Sequence, residues 1–311
     1  MMKVLVTGGA GFIGSHVVDL LIDSGYQVVV VDNLSTGKKE YINEGAKSYF
    51  LDIRSKELEQ VFQIEKPDFV IHHAAQVDVS ISMKNPHADA DTNILGSIKL
   101  LDLCKKYQVK KFIYASSCAV YGETNDYSIQ ETHPIQPISF YGASKYTPEL
   151  YIQLYHQLYG MSYTILRYGN VYGPRQTPKG EGGVVSIFME KLLSNTSPSI
   201  FGDGEQTRDF IYVKDVAAAN LLALKSNVNE VMNVALNKKT SINQLYFLIS
   251  LIVPHNTLPT YLAKRDGDIK YSQLENLKLK KLLNWEPQYN LFEGLEETSE
   301  FYKKRKNDGL I

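Results

Sequence analysis

The chain has 311 residues, 44% of them apolar and 22% charged, which suits a soluble α/β body with a second, smaller lobe. A formal net charge of −1 offers no global field for nucleic acid or acidic membranes, and no apolar run approaches a membrane span. Two cysteines, Cys104 and Cys118, form neither a disulfide framework nor a metal-ligand spacing; with no targeting segment at the start, a cytoplasmic protein without a metal is expected.

Met2–Thr7 reads as an apolar strand and Val28–Val31 as a second. The helix between them carries Ile13, Val17, Leu20 and Leu21 on one face. Strand and helix are joined by Gly9-x-Gly11-x-x-Gly14. Glycines at that spacing let the backbone turn tightly and approach a pyrophosphate, while the helix N-terminus offers free N–H groups and a positive dipole end. Asp32, just past the second strand, is placed to accept hydrogen bonds from a ribose 2′-hydroxyl. Its charge repels a 2′-phosphate, so the unit is read as binding NAD rather than NADP.

A polar loop, Asn33–Gly37, comes next. Tyr49–Leu51 is a short strand ending at Asp52 and Ile53, a pair placed to lie against an adenine. Leu58–Ile64 is a helix, and Asp68–His73 a buried strand opening into Ala74, Ala75 and Gln76, where small residues let the backbone approach a ligand. One helix is predicted from about Ala88 to Tyr107. Lys111–Ala115 is a strand ending at Ser116 and Ser117, Tyr121–Pro137 a loop, Tyr141–Tyr159 a helix and Ser162–Leu166 a strand. This alternation predicts a doubly wound parallel sheet of the Rossmann type. From Arg167 the pattern changes, with glycines and prolines marking an irregular crossover. Helices are predicted at Val184–Leu193, Lys214–Leu224, Ser241–Leu251, Ser272–Leu283 and Gly294–Lys304, and strands at Asp209–Val213 and Val231–Ala235. The expected division is a cofactor domain over 1–168 and a substrate lobe over 169–311, the chain returning to the first around 209–236.

Three side chains carry chemistry. Ser117 stands at the C-terminal end of a sheet strand, where open α/β sheets bind ligands. Tyr141 and Lys145 are four residues apart on one helix, so they share a face. A nearby ammonium favours phenolate and turns a phenol into a base near neutrality. Pro148 lies inside the same helix and removes a backbone donor three residues after Lys145.

These motifs resemble those of the extended short-chain dehydrogenase/reductase family, and most closely its UDP-sugar 4-epimerases. The resemblance runs nearly end to end. It is carried by Thr7–Gly14, Asp32–Gly37, Ser116–Gly122, Tyr141–Lys145, Arg167–Arg175, Gly202–Gly204 and Arg208–Phe210. It implies Tyr141 as base, Lys145 as its partner and Ser117 as the hydroxyl on the sugar O4. For the cofactor it implies Gly8, Gly11, Phe12, Ile13, Gly14, Asp32, Asn33, Ser35, Thr36, Gly37, Asn93, Ser116 and Tyr168, beside Asp52, Ile53, Ala74, Ala75 and Gln76. For the substrate diphosphate it implies Asn170, Arg208 and Arg265, with Asp268 as a nearby acid on the nucleotide side. The residue seven after Arg265 is Ser272; in the family, a small residue at this gate admits N-acetylated sugars.

The resemblance implies a cycle in which Tyr141 takes the 4-hydroxyl proton, hydride passes from C4 to NAD, the ketose turns over in the pocket and the hydride returns to its other face. Related dehydratases carry an Asp-Glu pair after the catalytic hydroxyl, and decarboxylases a Glu two positions after it. Here Cys118 and Ala119 stand there, which favours 4-epimerisation. UDP-glucuronate 4-epimerisation is a close alternative, and an NAD-binding sensor or scaffold the alternative outside catalysis. A homodimer built on the helices near Ala88–Tyr107 and Tyr141–Tyr159 is also implied.

Overall fold

A computed structural model describes residues 2–124, 128–178, 183–264 and 269–309. Six strands form most of one sheet: β1 (Lys3–Thr7), β2 (Gln27–Asp32), β3 (Lys47–Phe50), β4 (Phe69–His72), β5 (Lys111–Ser117) and β6 (Ser162–Tyr168). The later strands are β7 (Asn170–Tyr172), β8 (Ser199–Phe201), β9 (Thr207–Arg208), β10 (Phe210–Tyr212), β11 (Val231–Val234), β12 (Thr240–Ser241) and β13 (Thr260–Leu262). The helices up to the centre of the chain are α1 (Phe12–Asp23), α2 (Leu58–Glu65), α3 (Val79–Lys84), α4 (Pro86–Ala90), α5 (Gly96–Lys106) and α6 (Phe140–Tyr159). Beyond it lie α7 (Val184–Leu193), α8 (Val213–Lys225), α9 (Ile242–Ile252), α10 (Leu277–Leu283) and α11 (Leu291–Asn307).

The central sheet has seven parallel strands in the order β11-β6-β5-β4-β1-β2-β3. Both faces are covered, which is why its strands read as unbroken apolar runs. Val4 and Val6 of β1 point to the face packed by Val17, Val18 and Leu21 of α1 and by Val216 and Ala219 of α8. Leu5, between them, points to the other face with Phe62 of α2, Leu100 of α5 and Ile152 of α6. The strand order reverses between β1 and β4, and α/β folds bind ligands at that switch, beyond the strand C-termini.

After β6 the chain leaves the sheet and comes back. β7 pairs with β10, α8 covers α1, and β11 adds to β6 with Val231 opposite Ile165. The lobe holds two small sheets, β8 with β13 and β9 with β12, around a core of Phe188, Met189, Leu245, Ile249, Leu295 and Tyr302. Among the described residues no helix is long and apolar enough to cross a membrane.

The short strands β7, β9, β12 and β13 are absent from the sequence reading, and three helical elements differ from it. The single helix expected from Ala88 to Tyr107 is α4, a π-helical turn at Asp91–Leu95 and α5. It begins at Pro86, where the Asn85 side chain accepts from Ala88 N at 3.1 Å. Apolar spacing is blind to such a turn, which adds a residue without ending the helix. The short α3 was not foreseen; Asp78 caps it by accepting from Ile81 N at 2.9 Å. The helix expected from Ser272 begins only at Leu277. Leu274 is used in a bridge to Ile129, and Asn276 donates to the Ala235 carbonyl at 2.8 Å.

Candidate active site

The glycine turn has no spare volume. A Cβ on Gly14 would lie 2.1 Å from the Gly8 carbonyl oxygen, and one on Gly8, whose φ is +70°, would lie 2.7 Å from Ala74 N. α1 starts at Gly11 with no side-chain cap and no acid in its first turn. The N–H groups around Phe12 and Ile13 therefore open toward the C-terminal edge of the sheet.

Asp32 is buried at the end of β2. Its Oδ2 accepts from Ala10 N at 3.0 Å and its Oδ1 from Leu34 N at 2.8 Å. An ionised carboxylate takes about four hydrogen bonds, so acceptor capacity is left for a ribose. Gly37 folds back on it, and the next residue, Lys38, donates its N–H to the Ala10 carbonyl at 2.9 Å. Asn33, Ser35 and Thr36 are exposed at the rim. Asn33 Nδ2 donates to Asp52 Oδ2 at 2.8 Å, and Arg54 grips both Asp52 oxygens at 2.8 Å, holding that carboxyl well below its usual range. Ile53, in contrast, is buried in the core beside Gly96.

At the centre of the edge, Ala74, Ala75 and Gln76 leave β4. Ala74 N donates to Thr7 Oγ1 at 3.2 Å, and Gln76 N to Asn93 Oδ1 at 2.8 Å. Asn93, on the π-helical turn, donates to Gln76 O and to Ser144 Oγ, each at 2.9 Å. His72 is spanned by Thr7 Oγ1 and Ser97 Oγ at 2.7 and 2.9 Å.

α6 is capped by Ser139, whose Oγ accepts from Gly142 N at 3.0 Å. Tyr141 N donates to Ser82 Oγ at 3.1 Å. Gly142 lets the first turn of α6 press against the turn that follows Ser117; a Cβ there would lie 2.5 Å from the Ala119 carbonyl. That contact brings the Tyr141 and Ser117 segments together. Ser117 is partly exposed, and its Oγ accepts from Ala119 N at 3.2 Å. Lys145 is buried, its ammonium 4.6 Å from the centre of the Tyr114 ring. Burial lowers its pKa to about 8, against the opposing pull of Glu149 and Asp89.

Ser116 points to the opposite face of the sheet from Ser117, whereas Tyr168, the register partner of Ser117 on β6, shares its face. Ser116 Oγ donates to Glu149 Oε1 at 2.5 Å, and Arg167 closes on Glu149 at 3.0 and 2.6 Å, all three residues being buried. The Tyr168 ring stacks on His73, and its hydroxyl meets Asn220 Nδ2 at 2.8 Å.

From the lobe side, Arg208 Nη1 donates to the Ile269 carbonyl at 2.6 Å. Burial pushes the Cys118 thiol up to about 11, against the opposing positive charge of Arg208. Asn170 N donates to the Asp209 carbonyl at 2.8 Å, while its side-chain Oδ1 is buried with no partner. Ser272 is buried and its neighbour Tyr271 exposed. Arg265 and Asp268 lie outside the described residues.

Residues 4–235 match the NAD dependent epimerase/dehydratase family. The chain belongs to that family. A UDP-glucose 4-epimerase from Thermotoga maritima, solved with UDP-glucose, is 48% identical, with a TM-score of 0.96 over 98% of this chain and 100% of that one. A UDP-N-acetylglucosamine 4-epimerase from Methanobrevibacter ruminantium, solved with UDP-N-acetylmuramic acid, is 41% identical, with a TM-score of 0.93 over 98% and 99%. A UDP-glucose 4-epimerase from Mycolicibacterium smegmatis is 37% identical over 98% of this chain and 99% of its own.

NAD is the family's cofactor, and the residues present fit it. The glycine cradle excludes side chains, the α1 N-terminus is uncapped, and Lys145 has no carboxylate or carbonyl partner among the described residues. Sequence reasoning passed over Glu149, Arg167 and Asp89. Asp89 had a usable signal, since it precedes Asn93 by four residues and so shares its helix face.

Proposed function

We propose that the chain is a UDP-sugar 4-epimerase acting through a transient 4-keto sugar. The observation that carries this reading is the packing of the first turn of α6, which bears Tyr141 and Lys145, onto the turn after Ser117, at the same C-terminal sheet edge as the glycine cradle. Tyr141 as phenolate takes the proton of the sugar 4-hydroxyl and later returns it. Lys145, as ammonium, favours the phenolate. Ser117 hydrogen-bonds the sugar O4 and orients it. NAD supplies the acceptor and donor of hydride for C4. Arg208, Arg265 and Asn170 hold the diphosphate, so the substrate stays anchored at one end while the sugar turns over. Cys118 and Ala119 carry no carboxylate for proton chemistry at C5 or C6, which supports epimerisation over dehydration.

The pocket is proposed to accept N-acetylated as well as plain hexoses. Ser272 is the buried neighbour of an exposed Tyr271, which supports Ser272 as the pocket-wall residue. Ser272→Tyr should then remove N-acetyl activity and keep UDP-glucose activity. A homodimer is proposed through α6, which exposes Leu150, Tyr151, Leu154 and Leu158 along one face. Replacing Leu154 and Leu158 by Glu should give a monomer in sedimentation equilibrium.

The test is a product assay on UDP-glucose, UDP-galactose, UDP-GlcNAc, UDP-GalNAc and UDP-glucuronate without added cofactor, with Tyr141→Phe in parallel. Conversion lost in the variant is expected. Absence of turnover on every UDP-sugar would overturn the reading, and turnover of glucuronate alone would move it to the uronate epimerases.

A further inference from the structure

Among the described residues, Lys145 and Asp89 are buried ionisable side chains that form no ion pair. Lys145 on α6 is 4% exposed; among the described residues its ammonium has the Tyr114 ring beside it and no ion pair. Asp89 on α4 is 1% exposed. Its Oδ1 accepts from Gln76 Nε2 at 2.7 Å and from Asn93 Nδ2 at 3.3 Å, while its Oδ2 is buried with no hydrogen-bond partner. α4 and α6 pack against each other. The same Asn93 that touches Asp89 donates to Ser144, the residue before Lys145.

The other ionisable groups facing Lys145 are already accounted for. Glu149, one turn further along α6, is paired with Arg167 at 2.6 Å and accepts from Ser116. His72 and His73 on β4 are held neutral by burial, His73 down to about 3. Tyr114 on β5 is kept a neutral phenol by burial. Tyr141 is the proposed base itself. Asp89 is thus the one carboxylate near Lys145, among the described residues, that no other cation balances.

We propose that Asp89 is a positioning residue for the reaction, the counter-charge on α4 that keeps the Lys145 ammonium protonated while it faces Tyr141 and the cofactor. The hydrogen bonds of Asp89 do not require its charge, because an asparagine oxygen accepts from Gln76 and Asn93 equally well. A buried carboxylate with one oxygen unpaired is costly unless a cation lies close. Lys145, beyond ion-pair distance on the helix packed against α4, is the buried cation on that side, and Asp89 opposes the desolvation that drives the lysine toward its neutral form. Glu149 pulls on Lys145 in the same direction and more strongly, but its carboxylate is already paired with Arg167, so only Asp89 is left without a counter-charge of its own.

The inference rests on the reading of Lys145 as partner of Tyr141, and the test separates the two. In the NAD-loaded protein labelled with [ε-¹³C]lysine, the Lys145 resonance is assigned by its loss in Lys145→Arg and titrated in the parent and in Asp89→Asn. The variant is expected to titrate about one pH unit lower, with an unchanged melting temperature. The alkaline limb of kcat/KM should move down with it. Asp89→Ser repeats the measurement if the asparagine variant folds poorly. An unmoved Lys145 titration would overturn the proposal, as would equal loss of activity at every pH together with lowered melting. A shifted titration in a protein that turns over no UDP-sugar would leave the charge pair standing and remove only the reaction.

Discussion

The two ends of the cleft are built by opposite means. The cofactor end is backbone packed on backbone: Gly8, Gly14 and Ala74 approach so closely that one added carbon would collide, and five register pairs tie β1 to β2. The proposed substrate end is built on shorter elements, with Arg208 on the two-residue strand β9. Backbone packing is stiff and intolerant of change, whereas a guanidinium on four rotatable bonds adapts. That difference suits a reaction in which one ligand stays in place while the other must turn over.

Predictions that probe this contrast rank as follows. At the seam between the two ends, Tyr141→Phe removes one oxygen and is expected to lower kcat about a thousandfold; NAD content and melting temperature should stay as in the parent. Unchanged turnover would remove Tyr141 as the base. Arg208→Ala strikes the adaptable end. KM should rise roughly ten- to a hundredfold, the worth of one charge-assisted contact, with kcat within a few-fold; a kcat loss at constant KM would contradict an anchoring role. Gly14→Ala strikes the stiff end. The forced shift should cost about 1–3 kcal/mol in urea unfolding and strip NAD from the purified protein, read by absorbance of the denatured supernatant. Retained NAD at parental stability would mean the cradle is softer than its geometry.

The smallest effect concerns the joint between the ends. His16 on α1 donates through Nε2 to the Pro174 carbonyl at 3.0 Å, tying the cofactor helix to the crossover into the lobe. Burial holds its pKa at about 4, below an unfolded value of 6.5. The unfolded chain therefore binds the proton first. Stability contributed by neutral His16 is complete above about pH 6.5 and is lost as pH falls from there toward 4. The buried His72 and His73 act in the same direction. Replacing His16 by Gln should flatten the loss by about 1–3 kcal/mol; an unaltered pH-stability curve would show that His16 titrates freely.

Legibility followed range along the chain. The glycine turn, Asp32 and the Tyr141/Lys145 pair are local patterns, readable because a turn or one helix face places them regardless of what packs around it. The division of apolar runs between two sheet faces followed from the alternation of Val4, Leu5 and Val6. The π-helical turn at Asp91–Leu95 was not legible; Asn93 within it bonds Gln76 and Ser144, 17 and 51 positions away, partners that local spacing does not reveal. Nor was the use of Ser116, expected on the cofactor side, whose hydroxyl goes instead to Glu149 across the alternation of β5.

By itself, then, the sequence determined the nature of the chemistry: a dinucleotide cradle and a phenol with an ammonium one turn away, each set by short-range geometry. Only the tertiary structure decided the electrostatics. Lys145 is buried because α6 lies against β5 and α4; the carboxylates that oppose its desolvation are Glu149, one turn ahead, and Asp89, 56 positions back. Whether a buried lysine holds its proton depends on the charges and water around it in space, and spacing along a chain contains no measure of either.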